Sequence, residues 1–287
     1  AVAITPIRSH RDTAFSAMKL AEKAEGRIRV VHVPKTIDND LSLPPHVDTF
    51  GYQTARHEGV HIVKNIMVDA HTTSRWYFII AMGRKAGHLA LGIGKAAGAT
   101  LTLIPEEFGQ GPIKLDHLVD TLVGAIIRRD EHGHVRIAEV NIGEILKHAV
   151  QARLREFKLK STIVAKNIGY ELRCADPIPY DMAYTRDLGY CAAKYLIEGG
   201  SNVMITMQGG ELVPVPFDTM IDPKTGRTRV RGVDINSTQY AIARRYMIRL
   251  RRDDFEDPHE LARFAATCGM TVDQFRDRFA GLVESEP

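Results

Sequence analysis

Apolar positions recur along the chain at helical and strand periods in turn. Asp12 and Thr13 can cap a helix whose apolar face is Phe15, Met18 and Leu20 and which Gly26 ends; residues 27–33 then alternate as a strand stopped by Pro34. A polar loop, 35–48, comes next. The unit then repeats: a helix over 50–68, a strand over 76–81, a Gly-rich turn and helix through Ala97, and a strand over 100–104. Further helices are predicted over 115–129, 142–157, 182–197 and 237–251, with strands over 135–140 and 203–207. From Asp257 the tail reads as short amphipathic helices, with Thr271-x-x-Gln274 as a capping box. Such alternation predicts an α/β fold with a mainly parallel sheet, in which ligands gather at the carboxyl ends of the strands. No repeat, low-complexity tract or flexible linker interrupts it, so two domains would be joined by short crossings.

Composition narrows the function. With 287 residues, 44% hydrophobic and 25% charged, the chain has room for one large or two medium domains and is neither disordered nor a disulfide scaffold. Its 38 Lys+Arg against 35 Asp+Glu leave +3, too little to point to nucleic acid, although a small anion stays open. Cys174, Cys191 and Cys268 are odd in number and far apart, which suggests the reducing cytoplasm rather than a disulfide framework. No apolar run approaches the roughly 20 residues of a membrane span. Residues 1–11 lack the apolar core of a secretory signal. The first residue is Ala1, not Met, and the expectation is a processed or incomplete N-terminus.

Four polar clusters follow strands. In Pro34-Lys35-Thr36-Ile37-Asp38-Asn39-Asp40, one carboxylate can take a proton from a hydroxyl, another can hold Mg²⁺, and Lys35 can neutralise phosphate; an Asx-rich turn would look the same. Met82-Gly83-Arg84-Lys85-Ala86-Gly87 offers close backbone approach, a guanidinium fork and a following helix N-terminus, or simply a turn that needs Gly. Glu106 in Pro105-Glu106-Glu107-Phe108 could support a metal, or the segment could be a helix cap. Tyr170 and Arg173 in Gly169-Tyr170-Glu171-Leu172-Arg173, ahead of the stiff Pro177-Ile178-Pro179-Tyr180-Asp181, can present a hydroxyl and a guanidinium to a sugar phosphate. Two decoys are set aside. Gly92-x-Gly94-x-x-x-Gly98 misses the dinucleotide spacing and reads as helix packing; His57-Glu58-Gly59-Val60-His61 matches HExxH but has no third ligand nearby.

Taken together, in order and spacing, PKTIDND, MGRKAGHLALGIGKAAGATLTLIPEEF and GYELRCADPIPYDMAYTRDLGYCAAKYLIEGG resemble the 6-phosphofructokinase family over about residues 12–252. Lys35 is similar to the Lys of the pyrophosphate-dependent branch, and Asp12 falls on the second Asp of that branch's GGDD motif. The resemblance implies transfer from pyrophosphate to fructose 6-phosphate with Mg²⁺, giving fructose 1,6-bisphosphate reversibly in glycolysis. An ATP-dependent enzyme is the lesser alternative. By position, Asp38 looks like the base, Asp40 its acidic partner and a candidate Mg²⁺ ligand with Glu106, Thr36 a neighbour of the transferring phosphate, and Lys35 the charge stabiliser. Met82, Gly83, Arg84, Glu139, Tyr170 and Arg173 look like sugar-phosphate contacts. Arg75 matches an Arg that reaches the neighbouring subunit's substrate, implying a homodimer or homotetramer.

The implied fold is two Rossmann-like three-layer domains of the phosphofructokinase type, the first incomplete at its N-terminus. Residues 1–50 with 174–225 would form a truncated pyrophosphate domain, 51–173 with 226–252 the fructose 6-phosphate domain, and 253–287 a helical tail. Ser9, His10 and Arg11 replace the first three residues of GGDD, and the expectation from the resemblance is a chain that lacks the family's GGxxPGxN loop ahead of Ala1. A catalytically inactive relative that only binds sugar phosphate or partner subunits is therefore the competing reading. The missing strands would expose apolar surface and lower stability.

Overall fold

The structure is a computed structural model that describes residues 2–4, 11–83, 85–109, 114–129 and 141–283. In chain order the elements are β1 (Val2–Ile4), α1 (Arg11–Ala24), β2 (Arg29–His32), α2 (Tyr52–Thr73), β3 (Trp76–Ala81) and α3 (His88–Ala97). They continue with α4 (Leu115–Arg129), α5 (Asn141–Glu156), β4 (Ile163–Ile168), α6 (Tyr170–Cys174), α7 (Pro179–Ile197), β5 (Val203–Gln208) and β6 (Glu211–Pro216). Last come α8 (Thr238–Arg245), α9 (Asp253–Glu256), α10 (Pro258–Thr267) and α11 (Val272–Phe279). The predicted strand over 135–140 lies outside the described residues. None of the described helices is long and apolar enough to cross a membrane.

Two compact units divide the chain. The first comprises residues 1–58, 83–89 and 170–233. Its sheet runs β1-β2-β5-β6, with β1, β2 and β5 parallel and β6 antiparallel at one edge. One core layer sets Ala14, Ala17 and Met18 of α1 against Val30, Met204 and Phe217. The other sets Leu188, Cys191, Ala192 and Leu196 of α7 against Val31, Val203 and Ile205. Alternate side chains of a strand point to opposite faces, so Val30 and Val31 fall into different layers. The sequence pattern missed β6 because it contains Pro214 and Pro216. An edge strand tolerates proline, since an N–H directed away from the sheet has no ladder partner to lose.

The second unit comprises residues 59–82, 90–169 and 234–287. Its described sheet is the parallel pair β3-β4. Phe78 and Ile163 of that pair pack with Val123 and Ile127 of α4, Val150 and Leu154 of α5, and Phe264, Phe275 and Phe279 of the last helices. Thr271 caps α11 with Gln274 in the capping box that the sequence announces.

Two expectations need correction here. Residues 100–104 form no strand: Thr100 O accepts from Ile248 N (2.7 Å), while Ile104 N donates to Glu107 Oε1 (3.3 Å) and Ile104 O accepts from Glu107 N (3.2 Å). The apolar pattern there reports burial of Leu101 and Ile104, not pairing. The helix over 237–251 ends at Arg245, because Ile248 N serves Thr100 instead of a helical carbonyl and Arg251 NH2 takes Arg245 O (2.7 Å).

Candidate active site

Pro34 ends β2's extension and hands the chain to a loop that folds back on itself. Lys35 forms a parallel bridge with Phe50, and Phe50 N donates to Pro34 O (3.0 Å), so both ends of the loop are pinned. Thr36, Asp38, Asn39 and Asp40 are all buried. Asp38 N donates to Thr36 Oγ1 (3.1 Å), a local turn bond that sequence alone could suggest. Asn39 takes the left-handed conformation (φ 54°), which Asn tolerates better than most residues. Its amide spans the loop: Nδ2 donates to Asp48 Oδ1 (2.8 Å), and Oδ1 accepts from Thr49 N (3.0 Å).

Arg231 completes this frame from 192 residues away in sequence. Its guanidinium donates to Asn39 O (3.3 and 3.1 Å), Asn39 Oδ1 (2.5 Å), Leu43 O (3.3 Å), Pro44 O (2.9 Å) and Val47 O (2.9 Å). Its backbone joins as well, with N donating to Asp40 O (2.9 Å) and O lying 3.1 Å from His88 Nε2 at the start of α3. Asp40 Oδ1 is buried without a hydrogen-bond partner. An oxygen in that state suits a hard cation or a donor brought by a ligand.

Beside the loop lies a cavity of about 430 Å³, with Lys35, Gly51, Thr54, Arg173, Asp181 and Arg186 on its walls. The Lys35 ammonium lies 6.0 Å from the Phe50 ring centroid. Burial lowers its pKa; Asp181 opposes that shift, Arg173 reinforces it, and Asp38 opposes it again. The cavity thus gathers three cations about one buried carboxylate, a field suited to small phosphates.

Of the residues singled out from sequence, Lys35 and Arg173 meet at this cavity, and Asp38 lies close enough to act on Lys35 electrostatically. Thr36 and Asp40 lie on the same buried loop, and Gly83 is exposed ahead of α3 in the same unit. Tyr170 is 76% exposed, one turn before Arg173 on α6, and is not among the residues that line the cavity. Asp12 belongs to α1. Arg84 and Glu139 fall outside the described residues. Arg75, Met82 and Glu106 belong to the second unit, where Arg75 is exposed, Met82 N donates to Ile168 O (3.1 Å), and Glu106 sits on a short 3-10 turn, Pro105–Phe108. In that turn Glu107 is the structural carboxylate, in a buried ion pair with Arg249 (2.9 Å). Gly94 is a packing glycine as read, since a Cβ there would stand 2.0 Å from Thr102 Oγ1. His57 and His61 are exposed on α2, and no group of three or more His, Cys, Asp or Glu that could hold a metal occurs among the described residues.

Sequence reasoning missed Asp181 and Arg231 as parts of the site. Pro179 and Asp181 open α7 in a way that reads as ordinary N-terminal helix chemistry. Nothing near Arg231 in sequence signals its partners.

A mainly parallel α/β sheet whose strand-end loop opens onto a cavity lined by Lys35, Arg173 and Arg186 is the arrangement of an α/β protein that binds small anions. The sequence model of the phosphofructokinase family matches residues 11–196. The chain is 46% identical, over 93% of its length, to the pyrophosphate--fructose 6-phosphate 1-phosphotransferase of Thermotoga maritima, spanning 73% of that protein. It is 42% identical, over 95% of its length, to the protein of the same name from Naegleria fowleri, spanning 72% of it. The crystal structure of pyrophosphate-dependent phosphofructokinase from Marinobacter aquaeolei shares the fold, with a TM-score of 0.60 at 18% identity over 96% of this chain and 66% of that one. The chain belongs to the phosphofructokinase family.

Proposed function

We propose that the chain transfers a phosphoryl group from pyrophosphate to the 1-hydroxyl of fructose 6-phosphate, yielding fructose 1,6-bisphosphate and phosphate. The observation that carries this reading is the Lys35 ammonium on the cavity wall, partly buried and opposed by Asp181 and Asp38, in a chain whose relatives bear that activity in their names. Phosphoryl transfer needs little covalent chemistry from a protein beyond positioning and charge stabilisation. The sugar's O1 attacks the terminal phosphorus as Asp38 takes its proton. The P–O–P bond breaks, and the leaving phosphate carries away the bond electrons. Lys35 stabilises charge on the transferring group, next to Thr36, and its bulk occupies the room that an ATP α-phosphate requires, with Asp12 assisting the choice of donor. Met82, Gly83, Arg84, Glu139, Tyr170 and Arg173 hold the sugar phosphate, while Arg75 serves a neighbouring subunit in a homodimer or homotetramer.

Magnesium fits the residues present. The orphaned Asp40 Oδ1 is a hard anionic ligand, and Mg²⁺ needs only one or two protein carboxylates when substrate phosphates and water supply the rest. Asp40 would hold it, with Glu106 the second candidate, and bound there it would neutralise charge on pyrophosphate. The cytoplasm suits a chain whose three cysteines are all free.

The test is product formation by the purified chain from fructose 6-phosphate with Mg²⁺-pyrophosphate or with Mg²⁺-ATP. Product with pyrophosphate is expected. Binding of fructose 6-phosphate with no product from either donor would establish the inactive alternative. Lys35→Gly should weaken the preference for pyrophosphate, and an unaltered preference would remove Lys35 from donor selection.

A further inference from the structure

The first turn of α2 contains no acidic residue of its own, although a helix start leaves N–H groups that favour an anion. Asp181, the third residue of α7 and 2% exposed, fills that role from another element. Its Oδ1 accepts from Gly51 N (2.9 Å), and its Oδ2 accepts from Thr54 N (2.8 Å) and Thr54 Oγ1 (2.5 Å). Thr54 Oγ1 in turn accepts from Ile178 N (3.2 Å), so α7's entry is tied to the same knot. The backbone held in this way is the surface on which Lys35 lies. Gly51 has φ +90°, and a Cβ added to it would stand 3.4 Å from Lys35 Nζ and 3.6 Å from Cε. The lysine tip therefore packs along the face of a residue whose amide Asp181 has fixed.

We propose that Asp181 is the positioning residue for Lys35: it fixes the Gly51–Thr54 backbone beneath the ammonium and is the buried countercharge that keeps the amine in the cavity. The inference rests on the proposed function for its catalytic consequence only. The charged groups facing Lys35 are Asp38 from its own loop, Arg173 from α6, and Asp181 and Arg186 from α7; Phe50, Gly51 and Thr54 contribute none. Asp181 is also locked in place by three hydrogen bonds from Gly51 and Thr54, and Gly51 is the surface that the Lys35 tip meets.

Asp181→Asn removes the charge at constant size. The readout is the pH dependence of Lys35 modification by an amine-directed reagent, located by peptide mass mapping with Lys35→Met as the blank. The midpoint should fall by about one pH unit in the Asn variant. In the activity assay, KM for pyrophosphate should rise about tenfold, with KM for fructose 6-phosphate within about twofold. An unchanged Lys35 midpoint in a folded Asn variant overturns the proposal and leaves Asp181 a helix cap. Should that variant not fold, Thr54→Val, which removes one of the three hydrogen bonds that fix the carboxylate, is read by the same modification: the Lys35 midpoint must fall, and an unmoved midpoint overturns the proposal. The Lys35 midpoint is independent of turnover, so absence of phosphotransferase activity would count against the proposed function and not against Asp181.

Discussion

Replacing Arg231 with Met tests whether the loop bearing Asp38 and Asp40 is held from a distance or stands by itself. The side chain keeps its length and much of its packing but loses every donor. Asn39 Oδ1 retains Thr49 N, so it is not orphaned. The carbonyls of Asn39, Leu43 and Val47 belong to residues 5%, 6% and 3% exposed, and each loses its guanidinium partner. At about 1 kcal/mol for each buried acceptor left unpaired, the low end of the usual range, the loop should lose about 3 kcal/mol. Local opening then becomes roughly a hundredfold more frequent. Native-state hydrogen exchange reads this directly at Leu43, Val47 and Thr49, whose amides donate to Leu41 O, Pro44 O and Asn39 Oδ1. Amides of β5 should exchange as before. Arg231→Lys should recover part of the loss, since an ammonium can serve one or two of the carbonyls but cannot reproduce the planar fork. Exchange at the three loop amides within about twofold of the unaltered chain would refute the reasoning. It would mean that Asn39 and Thr49 suffice to hold the loop.

Three further outcomes follow from the same structure. His32 is buried in β2, and burial lowers its pKa to about 4 from 6.5. The unfolded chain therefore binds the extra proton first, so stability present above pH 6.5 falls by up to about 3 kcal/mol as the pH drops towards 4; His32→Phe should flatten the slope of urea-unfolding free energy across that window. Gly94→Ala should destabilise the chain by about 1–3 kcal/mol despite alanine's better helix propensity, because its methyl meets Thr102, and adding Thr102→Ala should restore most of the loss in a thermal melt. Under native conditions an alkylating reagent should label the exposed Cys174 rapidly and spare the buried Cys191 and Cys268, the latter also because burial pushes its thiol up to about 12; equal labelling of all three would contradict the packing of both cores.

Much of the candidate site was legible because it consists of short segments whose residue types and spacing suit phosphate chemistry. Lys35, Thr36, Asp38 and Asp40 are neighbours in sequence, and a strand ending at Pro34 predicts where they emerge. Arg173 was legible for the same reason, on a short segment that two prolines follow. The less legible parts are partners across long separations. Asp181 bonds to Gly51 and Thr54 from 130 and 127 residues away, and Arg231 reaches Asn39 from 192. No local period encodes such bonds, and a helix-entry Asp or a loop Arg looks the same with or without them. Backbone pairing was hidden for another reason: residues 100–104 are as apolar as a strand, yet their carbonyls and amides are used singly, while β6 pairs fully despite two prolines.

The sequence by itself determined the alternation of elements, the family, and the residue types that can bind and transfer phosphate, because these depend on local periodicity and on motifs a few residues long. Only the tertiary structure decided which charges act together. A carboxylate becomes the countercharge of one particular lysine when burial removes competing water and hydrogen bonds fix its position, and both conditions at Asp181 are met by residues distant along the chain. The orphaned oxygen of Asp40 and the clamp of Arg231 arise in the same way, since desolvation and long-range hydrogen bonding exist only once the chain has closed on itself.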